Sequence, residues 1–231
     1  MTQKWQTEWQ VFLLAVQFMT RLPVPGDVPY SDDLLIRATR YYPLVGLLVG
    51  TIGAVVLLVS ESLLPVQIAV LLSMAATVFA TGALHEDGLA DAADGLGGGT
   101  THARVLDIMR DSRIGIYGAV TLGFVLAIKA SVMMTIPVSD MMVALIVGHV
   151  LSRMAAVQVV SRDSYAREEG AKFVTPSVTS DGYWFALTTT GAVLAVSVAW
   201  FGLGATLVSL VVAAGLSVVF RAMFPPRQSP V

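Results

Sequence analysis

Residues 41–63 read YYPLVGLLVGTIGAVVLLVSESL, an apolar run in which the first charged side chain is Glu61. A helix of about 20 apolar residues is needed to cross a bilayer, because each residue advances the helix by about 1.5 Å. The run contains Gly46 and Gly50, a small-xxx-small pair that lets a second helix approach closely. This stretch therefore predicts a membrane-spanning helix that packs tightly against a neighbour.

The rest of the chain has the same character. It is 55% hydrophobic and 13% charged, whereas soluble domains carry about a quarter charged residues. Its mean hydropathy is +0.75. We predict an all-α polytopic helical bundle of about six transmembrane helices, forming a single membrane domain over residues 1–231 because no linker-like stretch divides it. The predicted spans are Tyr41–Leu63, Val66–Leu84, Ile114–Ile136, Met141–Val160, Tyr183–Phe201 and Leu203–Phe220, with a tight turn at Gly202–Gly204.

The N-terminal segment, residues 1–40, is predicted to begin with a helix that is too short to span. Its apolar run, Val11–Met19, is followed by Pro23 and Pro25, and it lacks the basic start and the cleavage site of a signal peptide. We predict a helix that lies in the membrane interface, with packing against the bundle as the alternative. The residues expected to share its apolar face are Trp5, Trp9, Phe12, Val16 and Met19.

The distribution of basic residues predicts the orientation. With six spans, nearly all Lys and Arg fall in the N-terminal segment, the predicted acidic catalytic loop 85–113, the second predicted loop 161–182, the C-terminus or their borders. The opposite turns carry none, so the positive-inside rule predicts that the charged side is cytoplasmic. The basic residues form no patch of the kind that binds nucleic acid. The chain has no cysteine, which excludes disulfides and thiolate metal sites.

Acidic residues concentrate in residues 85–95, HEDGLADAADG. In a helix, Asp87, Asp91 and Asp94 stand at i, i+4 and i+7 and share one face, with Glu86 one position round. Three like charges on one stripe repel unless a cation lies between them, and Mg²⁺ prefers carboxylate oxygens and substrate phosphates. We therefore predict Asp87, Asp91 and Asp94 as magnesium ligands; the alternative is a solvated acidic face. Gly97–Gly99 predict that a flexible loop ends this segment.

An alternating-charge segment follows directly, with arginines at 104, 110 and 113 and aspartates at 107 and 111. Guanidinium groups bind phosphates in bidentate fashion. We predict that Arg110 and Arg113 bind a substrate phosphate, with interfacial anchoring and surface ion pairs as the alternative, and that Arg104 forms only such pairs. The segment 161–182 is predicted either to cover the site or to be a plain connector.

Five segments, in the same order along the chain, resemble the cobalamin synthase family. The opening FMTRLPVP at 18–25 and YPLVG at 42–46 are similar to the start of that family's pattern. HEDGLADAADG at 85–95 resembles its central motif, and IMRDSRIG at 108–115 and YAREEG at 165–170 are similar to its later segments. Each match is moderate evidence by itself, whereas the five together are highly specific.

The resemblance implies adenosylcobinamide-GDP ribazoletransferase activity in the last steps of cobalamin (vitamin B12) biosynthesis. The substrates would be adenosylcobinamide-GDP and α-ribazole or its 5′-phosphate, and the products GMP and adenosylcobalamin or its 5′-phosphate. It further implies a magnesium-dependent transferase in the cell inner membrane, with its site on the cytoplasmic side. Asp87, Asp91 and Asp94 would hold the metal. Glu86 and Asp94 are candidates to take the hydroxyl proton, with a metal-bound route as the alternative. The oligomeric state, a homo-oligomer included, stays open.

Two other functions compete with this interpretation. A CDP-alcohol phosphotransferase also spaces aspartates at helical intervals, but its signature demands Asp-Gly-x-x-Ala-Arg, whereas Asp91 follows Ala90 here. A transporter would place its ionisable groups near the bilayer midplane instead of at one face. The family usually carries a Gly-Gly-x-Thr-Gly-Asp segment after the last span, and the tail from Phe220 to Val231 does not match it. That departure predicts lowered activity with normal membrane insertion.

Overall fold

A computed structural model describes residues 3–162 and 177–223. Over these ranges the chain is helical and has no strand, which confirms the predicted all-α class. A 3₁₀ turn, Thr39–Tyr41, joins the second helix to the third. The helices are α1 (Gln3–Met19), α2 (Asp32–Ala38), α3 (Tyr42–Glu61), α4 (Val66–Thr81), α5 (Leu84–Gly98), α6 (His102–Ile108), α7 (Ile116–Met133), α8 (Val138–Arg162) and α9 (Ser180–Met223).

The chain forms two compact units. One comprises residues 1–51 and 143–231, and the other comprises residues 52–142. The first contains α1, α2, α9 and most of α8, and the second contains α4 to α7. The predicted segment 85–113 lies in the second unit, where it forms α5 and α6 instead of a loop. The predicted single membrane domain stays a prediction.

In the first unit, α1 packs against the following helices. Val11, Ala15 and Val16 are buried and contact residues of α2 and α3 such as Leu35 and Val45. This favours the packed arrangement for the C-terminal half of α1, while Trp5 near its start is 67% exposed. The position of α1 relative to the membrane stays a prediction.

A polar cluster also ties α1 to the 3₁₀ turn. The Glu8 carboxylate accepts a hydrogen bond of 3.0 Å from Arg37 and one of 2.8 Å from the Tyr41 hydroxyl. Arg40 forms an ion pair with the same carboxylate, and its guanidinium lies 4.9 Å from the Tyr41 ring centroid. Because these groups are partly shielded from water, the cluster fixes the angle at which α1 meets the bundle.

The Gly46 and Gly50 pair brings α3 into backbone contact with α8. A β-carbon added at Gly46 would overlap the His149 carbonyl oxygen and lie 3.1 Å from Val150 Cα. One added at Gly50 would lie 2.7 Å from Ile146 Cα. These neighbours are backbone atoms, which cannot rotate out of the way, so only glycine permits this packing. The predicted close approach is confirmed.

Helix α9 is a hairpin that reverses at Gly202, where φ is +83°. The Ser197 and Thr206 hydroxyl oxygens lie 3.1 Å apart, whereas in a straight helix a nine-residue separation spans about 13.5 Å. Both limbs also meet the same end of α8. Ala186 of the first limb packs against Val157, and Ser217 of the second shares a small cavity with residues 158 and 159. The turn predicted at 202–204 is confirmed.

The number of spans follows from these elements. Among the described residues, four helices are long and apolar enough to cross a membrane, and the bent pair of α4 and α5 makes a fifth candidate. Since α9 is one of the four and reverses at Gly202, each of its two limbs is a candidate by length, and the number of candidates is then compatible with the predicted number of about six. Large apolar side chains such as Phe124, Ile128 and Val211 are exposed on these helices, as a lipid-facing surface requires.

Candidate functional site

The acidic sequence forms a helix that turns away from the span before it. Helix α4 ends at Thr81, and α5 leaves it at an angle of 87°. Gly82 and Ala83 make this bend with φ values of 62° and 58°. Glycine adopts that conformation freely, but alanine in it costs about 1–2 kcal/mol. The predicted span 66–84 therefore stops early, and the acidic residues begin a separate helix at Leu84.

Helix α5 confirms that Asp87, Asp91 and Asp94 lie on one helical stripe. Asp87 is exposed, and Asp91 and Asp94 are partly exposed. Glu86 is partly buried, and its Oε2 is shielded from water with no hydrogen-bond partner among the described residues. A shielded carboxylate oxygen is unfavourable without a donor or a cation. The helix therefore presents hard oxygen ligands in the spacing that the sequence predicts.

The Asp94 carboxylate caps helix α7. Gly115, the residue that precedes α7, donates its N–H to Oδ2 over 2.7 Å, and Gly118 donates its N–H to Oδ1 over 2.8 Å. A glycine before a helix has no side chain to satisfy these amides. Asp94 of α5 therefore provides the hydrogen-bond acceptors that an N-cap side chain would normally provide for α7. Its negative charge also lies at the positive end of the α7 dipole.

The two glycines are required for this contact. A β-carbon at Gly115 or at Gly118 would overlap the Asp94 carboxylate, and one at Gly118 would also lie 2.8 Å from the Ala90 carbonyl oxygen. Neither glycine adopts a positive φ, so their role here is close approach and not backbone conformation. The two glycines of the sequence Gly-Ile-Tyr-Gly at 115–118 thus leave the space that the Asp94 carboxylate occupies.

The glycines after Asp94 lie within packed helix, which corrects the predicted flexible loop. Helix α5 continues to Gly98, and Gly99 ends it. A β-carbon at Gly97 would lie 2.5 Å from the Tyr117 ring, and one at Gly99 would lie 2.5 Å from Val105. Tertiary packing outweighs the low helix propensity of glycine, which is worth about 1 kcal/mol per residue.

An open cleft of about 740 Å³ lies beside the capped helix. Its wall is formed by the end of α5, by α6 and the segment after it, and by the first turn of α7. Of the predicted site residues, Asp94, Arg110 and Arg113 line this cleft, whereas Glu86, Asp87 and Asp91 do not. The other lining residues are Gly98, Arg104, Asp107, Ile108, Asp111, Ile114, Gly115, Ile116 and Tyr117.

Two arginine–aspartate pairs lie on the wall of the cleft. Arg113 donates from Nη2 to Asp111 over 2.6 Å and from Nε over 3.0 Å. Arg113 thereby lowers the pKa of Asp111 to about 2, chiefly through the side-chain hydrogen bonds and then through the backbone N–H. Arg104 pairs with Asp107 at 2.6 Å, one turn along α6, as expected for a surface ion pair. A guanidinium has five N–H donors, so Arg113 keeps donors for a phosphate while it contacts Asp111.

The structure does not assemble a three-residue metal site. Within residues 3–162 and 177–223, no group of three or more His, Asp or Glu side chains is placed to hold an ion. Both Asp94 oxygens already accept backbone hydrogen bonds. Mg²⁺, however, commonly takes one or two carboxylates, with water and substrate phosphates completing its shell. Asp87 and Asp91 have carboxylates of the kind that this smaller requirement needs, and magnesium binding stays a prediction.

Two features of this site were not predicted from the sequence. The capping role of Asp94 joins residues 21 and 24 positions apart, and only the Gly-x-x-Gly spacing at 115–118 hints at it. Tyr117, which lines the cleft, stands at the start of a predicted span and was not distinguished from an interfacial aromatic residue. The predicted covering segment 161–182 falls largely outside the described residues.

The fold and this site together define a polytopic α-helical membrane protein with a charged cleft suited to a phosphorylated ligand. The chain belongs to the cobalamin-5-phosphate synthase family, whose model matches residues 11–227. This confirms the resemblance found in the motifs. No solved structure matches the chain.

Curated relatives named adenosylcobinamide-GDP ribazoletransferase are similar to most of the chain. The protein of Shewanella frigidimarina is 46% identical over 169 residues, which are 72% of this chain and 65% of that protein. The protein of Shewanella amazonensis is 42% identical over 88% of this chain and 80% of its own length. The protein of Leptothrix cholodnii is 42% identical over 95% of this chain and 84% of its own length. The chain thus spans a little under two thirds of the first of these relatives and about four fifths of the other two.

Proposed function

We propose that this chain is an adenosylcobinamide-GDP ribazoletransferase that acts in cobalamin biosynthesis. Family membership supports this activity, and the observation that carries it here is the cleft, which has arginines on its wall and borders the acidic helix. A substrate with a pyrophosphate suits such a site, since arginines bind phosphate oxygens and carboxylates bind the accompanying cation.

The reaction transfers the phosphocobinamide group. A ribose hydroxyl of α-ribazole, or of its 5′-phosphate, attacks the phosphorus atom that carries the corrinoid. A new O–P bond forms, the bridging O–P bond of the pyrophosphate breaks, and GMP leaves with that bridging oxygen. The hydroxyl proton is released, and Glu86 is our candidate to accept it because its Oε2 is shielded and has no hydrogen-bond partner among the described residues. Phosphoryl transfer depends mostly on positioning and on charge stabilisation.

Each part of the site has a proposed role. Asp87 and Asp91 would hold Mg²⁺, which would supply positive charge to offset that of the pyrophosphate. Arg110 and Arg113 bind the substrate phosphates, and Asp111 orients Arg113 through three side-chain hydrogen bonds. Asp94, first predicted as a third ligand, holds the α7 wall of the cleft in place through its two hydrogen bonds to backbone N–H groups.

We also propose that the site faces the cytoplasm at the inner membrane. The support is the charge asymmetry along the chain, because the turns opposite the site carry no Lys or Arg. The native chain has no cysteine, so a single cysteine at Arg104 provides a clean accessibility probe. Labelling from the periplasmic side alone would overturn this orientation.

The activity is tested by following GMP release from adenosylcobinamide-GDP and α-ribazole, with purified protein and a magnesium titration. Parallel incubation with CDP-alcohol phosphotransferase substrates, followed by CMP release, tests the main alternative. Asp87→Asn and Asp91→Asn should each slow GMP release at least about tenfold, roughly 1.4 kcal/mol in the barrier, and shift the magnesium dependence. Asp27→Asn, an exposed acid of the N-terminal segment, is the control. Wild-type rates and magnesium dependence in both variants would refute the metal assignment.

A further inference from the structure

Tyr117 forms a flat wall of the cleft. It is the second residue of α7, it lines the cleft, and it is 54% exposed. An ideal β-carbon on Gly97 would lie 2.5, 2.7 and 2.8 Å from Cγ, Cδ2 and Cδ1 of the ring. Near-equal distances to these three atoms place that point above the ring plane and not beside its edge. The backbone of α5 at Gly97 therefore covers one face of the ring.

The other ring face is not covered by Gly97. Tyr117 lines the cleft and is 54% exposed, whereas Gly97 does not line the cleft. The backbone contact behind the ring limits its rotation, and the Asp94 cap holds the turn of helix that carries it. An aromatic ring with one face packed and one face open is the arrangement that stacks on nucleobases, worth about 1–3 kcal/mol per base.

We infer that Tyr117 stacks on the guanine of the nucleotide donor, so that the cleft is the guanine-nucleotide subsite. This inference rests on the proposed function. Arginines that suit a pyrophosphate, Arg110 and Arg113, line the same cleft. The carboxylates of Asp107 and Asp111 also line it, and they are acceptors for the N1–H and N2–H₂ groups of guanine.

The alternative aromatic ligand fits this wall less well. The benzimidazole base of α-ribazole has no N–H donor for a carboxylate, and α-ribazole itself brings no pyrophosphate to the arginines. The cleft combines an aromatic face, acceptors and guanidinium groups, which matches a guanine nucleotide in all three respects. Tyr117 is accordingly a specificity-determining residue for the leaving group and not for the acceptor.

The test separates stacking from every other role of the tyrosine. GMP binding to the purified full chain is measured by equilibrium dialysis in the presence of Mg²⁺, and KM is measured for both substrates. Tyr117→Leu should raise the Kd for GMP and the KM for adenosylcobinamide-GDP about tenfold, equal to about 1.4 kcal/mol. The KM for α-ribazole should stay within about twofold, as should every value for Tyr117→Phe, which keeps the ring.

A second variant places a methyl group against the packed face of the Tyr117 ring. Gly97→Ala should weaken GMP binding in the same direction, because its methyl group displaces the ring. Matched controls are Tyr30→Leu, an exposed tyrosine of the N-terminal segment, and Gly123→Ala, which meets no atom within 4 Å. Both controls should bind GMP as the wild type does.

Three outcomes would overturn the inference. The first is an unchanged Kd for GMP in Tyr117→Leu, with a loss only of stability or insertion, which would make Tyr117 an interfacial anchor. The second is an effect confined to the KM for α-ribazole. The third is an equal defect in Tyr117→Phe, which would assign the role to the hydroxyl. The proposed function fails separately, when the wild type releases no GMP from its two substrates.

Discussion

The variant Asp94→Asn distinguishes two roles for Asp94, that of a metal ligand and that of a helix cap. Loss of a ligand would weaken magnesium binding, whereas loss of a cap would lower the stability of the fold. The carboxylate accepts charge-assisted hydrogen bonds of 2.7 and 2.8 Å from the first turn of α7. Asn has a single amide oxygen and accepts only one of them well, while its NH₂ group faces the other N–H. We therefore expect Asp94→Asn to lower the stability of the protein as well as its activity.

The expected loss is about 2–4 kcal/mol in the free energy of unfolding. One charge-assisted hydrogen bond contributes about 1.5–3 kcal/mol, and a negative charge at a helix N-terminus adds about 0.3–1 kcal/mol. Asp87→Asn is the matched variant, since Asp87 is an exposed acid on the same stripe. It should change stability by no more than about 0.5 kcal/mol.

The assay is equilibrium unfolding in mixed micelles, combined with GMP release against magnesium concentration. Asp94→Asn should unfold earlier, and its remaining folded fraction should show nearly wild-type magnesium dependence. Asp87→Asn should show the opposite, with stability retained and magnesium dependence shifted. If Asp94→Asn is as stable as the wild type and binds magnesium at least tenfold more weakly, Asp94 is a ligand and the capping argument is wrong.

Other positions give independent tests. Gly46→Ala should destabilise the protein by about 1–3 kcal/mol through overpacking against the α8 backbone, whereas Gly148→Ala, with no atom within 4 Å of the new carbon, should be neutral in the same unfolding assay. Ala83→Gly should stabilise it by about 1 kcal/mol, because glycine relieves the left-handed conformation; unchanged stability would mean that the bend stores no strain. In a ¹³C NMR titration, Asp111 should titrate at about 2 and not near 3.8. Since the folded-state pKa is the lower one, the pair stabilises the fold above pH 3.8 and loses this effect as the pH falls toward 2. Arg113→Ala should return the midpoint toward 3.8, and an unmoved midpoint would exclude Arg113 as the cause.

Elements governed by local composition could be predicted from the sequence. The first span was expected at 41–63 and α3 runs from Tyr42 to Glu61, because an uninterrupted apolar run leaves the backbone no alternative to a helix in lipid. The turn at Gly202 and the close contact at Gly46 were likewise readable from glycines in apolar surroundings. In the site, the helical stripe of acids followed from their spacing alone.

Features that depend on contacts between distant residues could not be predicted. Gly97 and Gly98 suggested a loop by their propensity, but Tyr117 and Ile108 pack against them within helix. Asp94 was interpreted with its acidic neighbours, although its partners are amides of another helix. Helix α4 ends before Gly82, which caps it in the left-handed conformation, but the same conformation at the following Ala83 could not be predicted from the sequence. For the glycines and for Asp94, a tertiary contact outweighed a local preference.

The length of α4 has a consequence for the surroundings of the acidic helix. Its 16 residues advance about 24 Å, which is less than the roughly 30 Å hydrocarbon thickness of a typical bilayer. If the start of α4 at Val66 lies at one membrane surface, its end at Gly82 does not reach the opposite surface. The bilayer around Gly82 then has to become thinner for Asp87 and Asp91 to contact water. If α4 alone crosses the bilayer, we expect the acyl-chain length of the host membrane to determine how well hydrated these carboxylates are, so that lipid composition becomes part of the environment of the site.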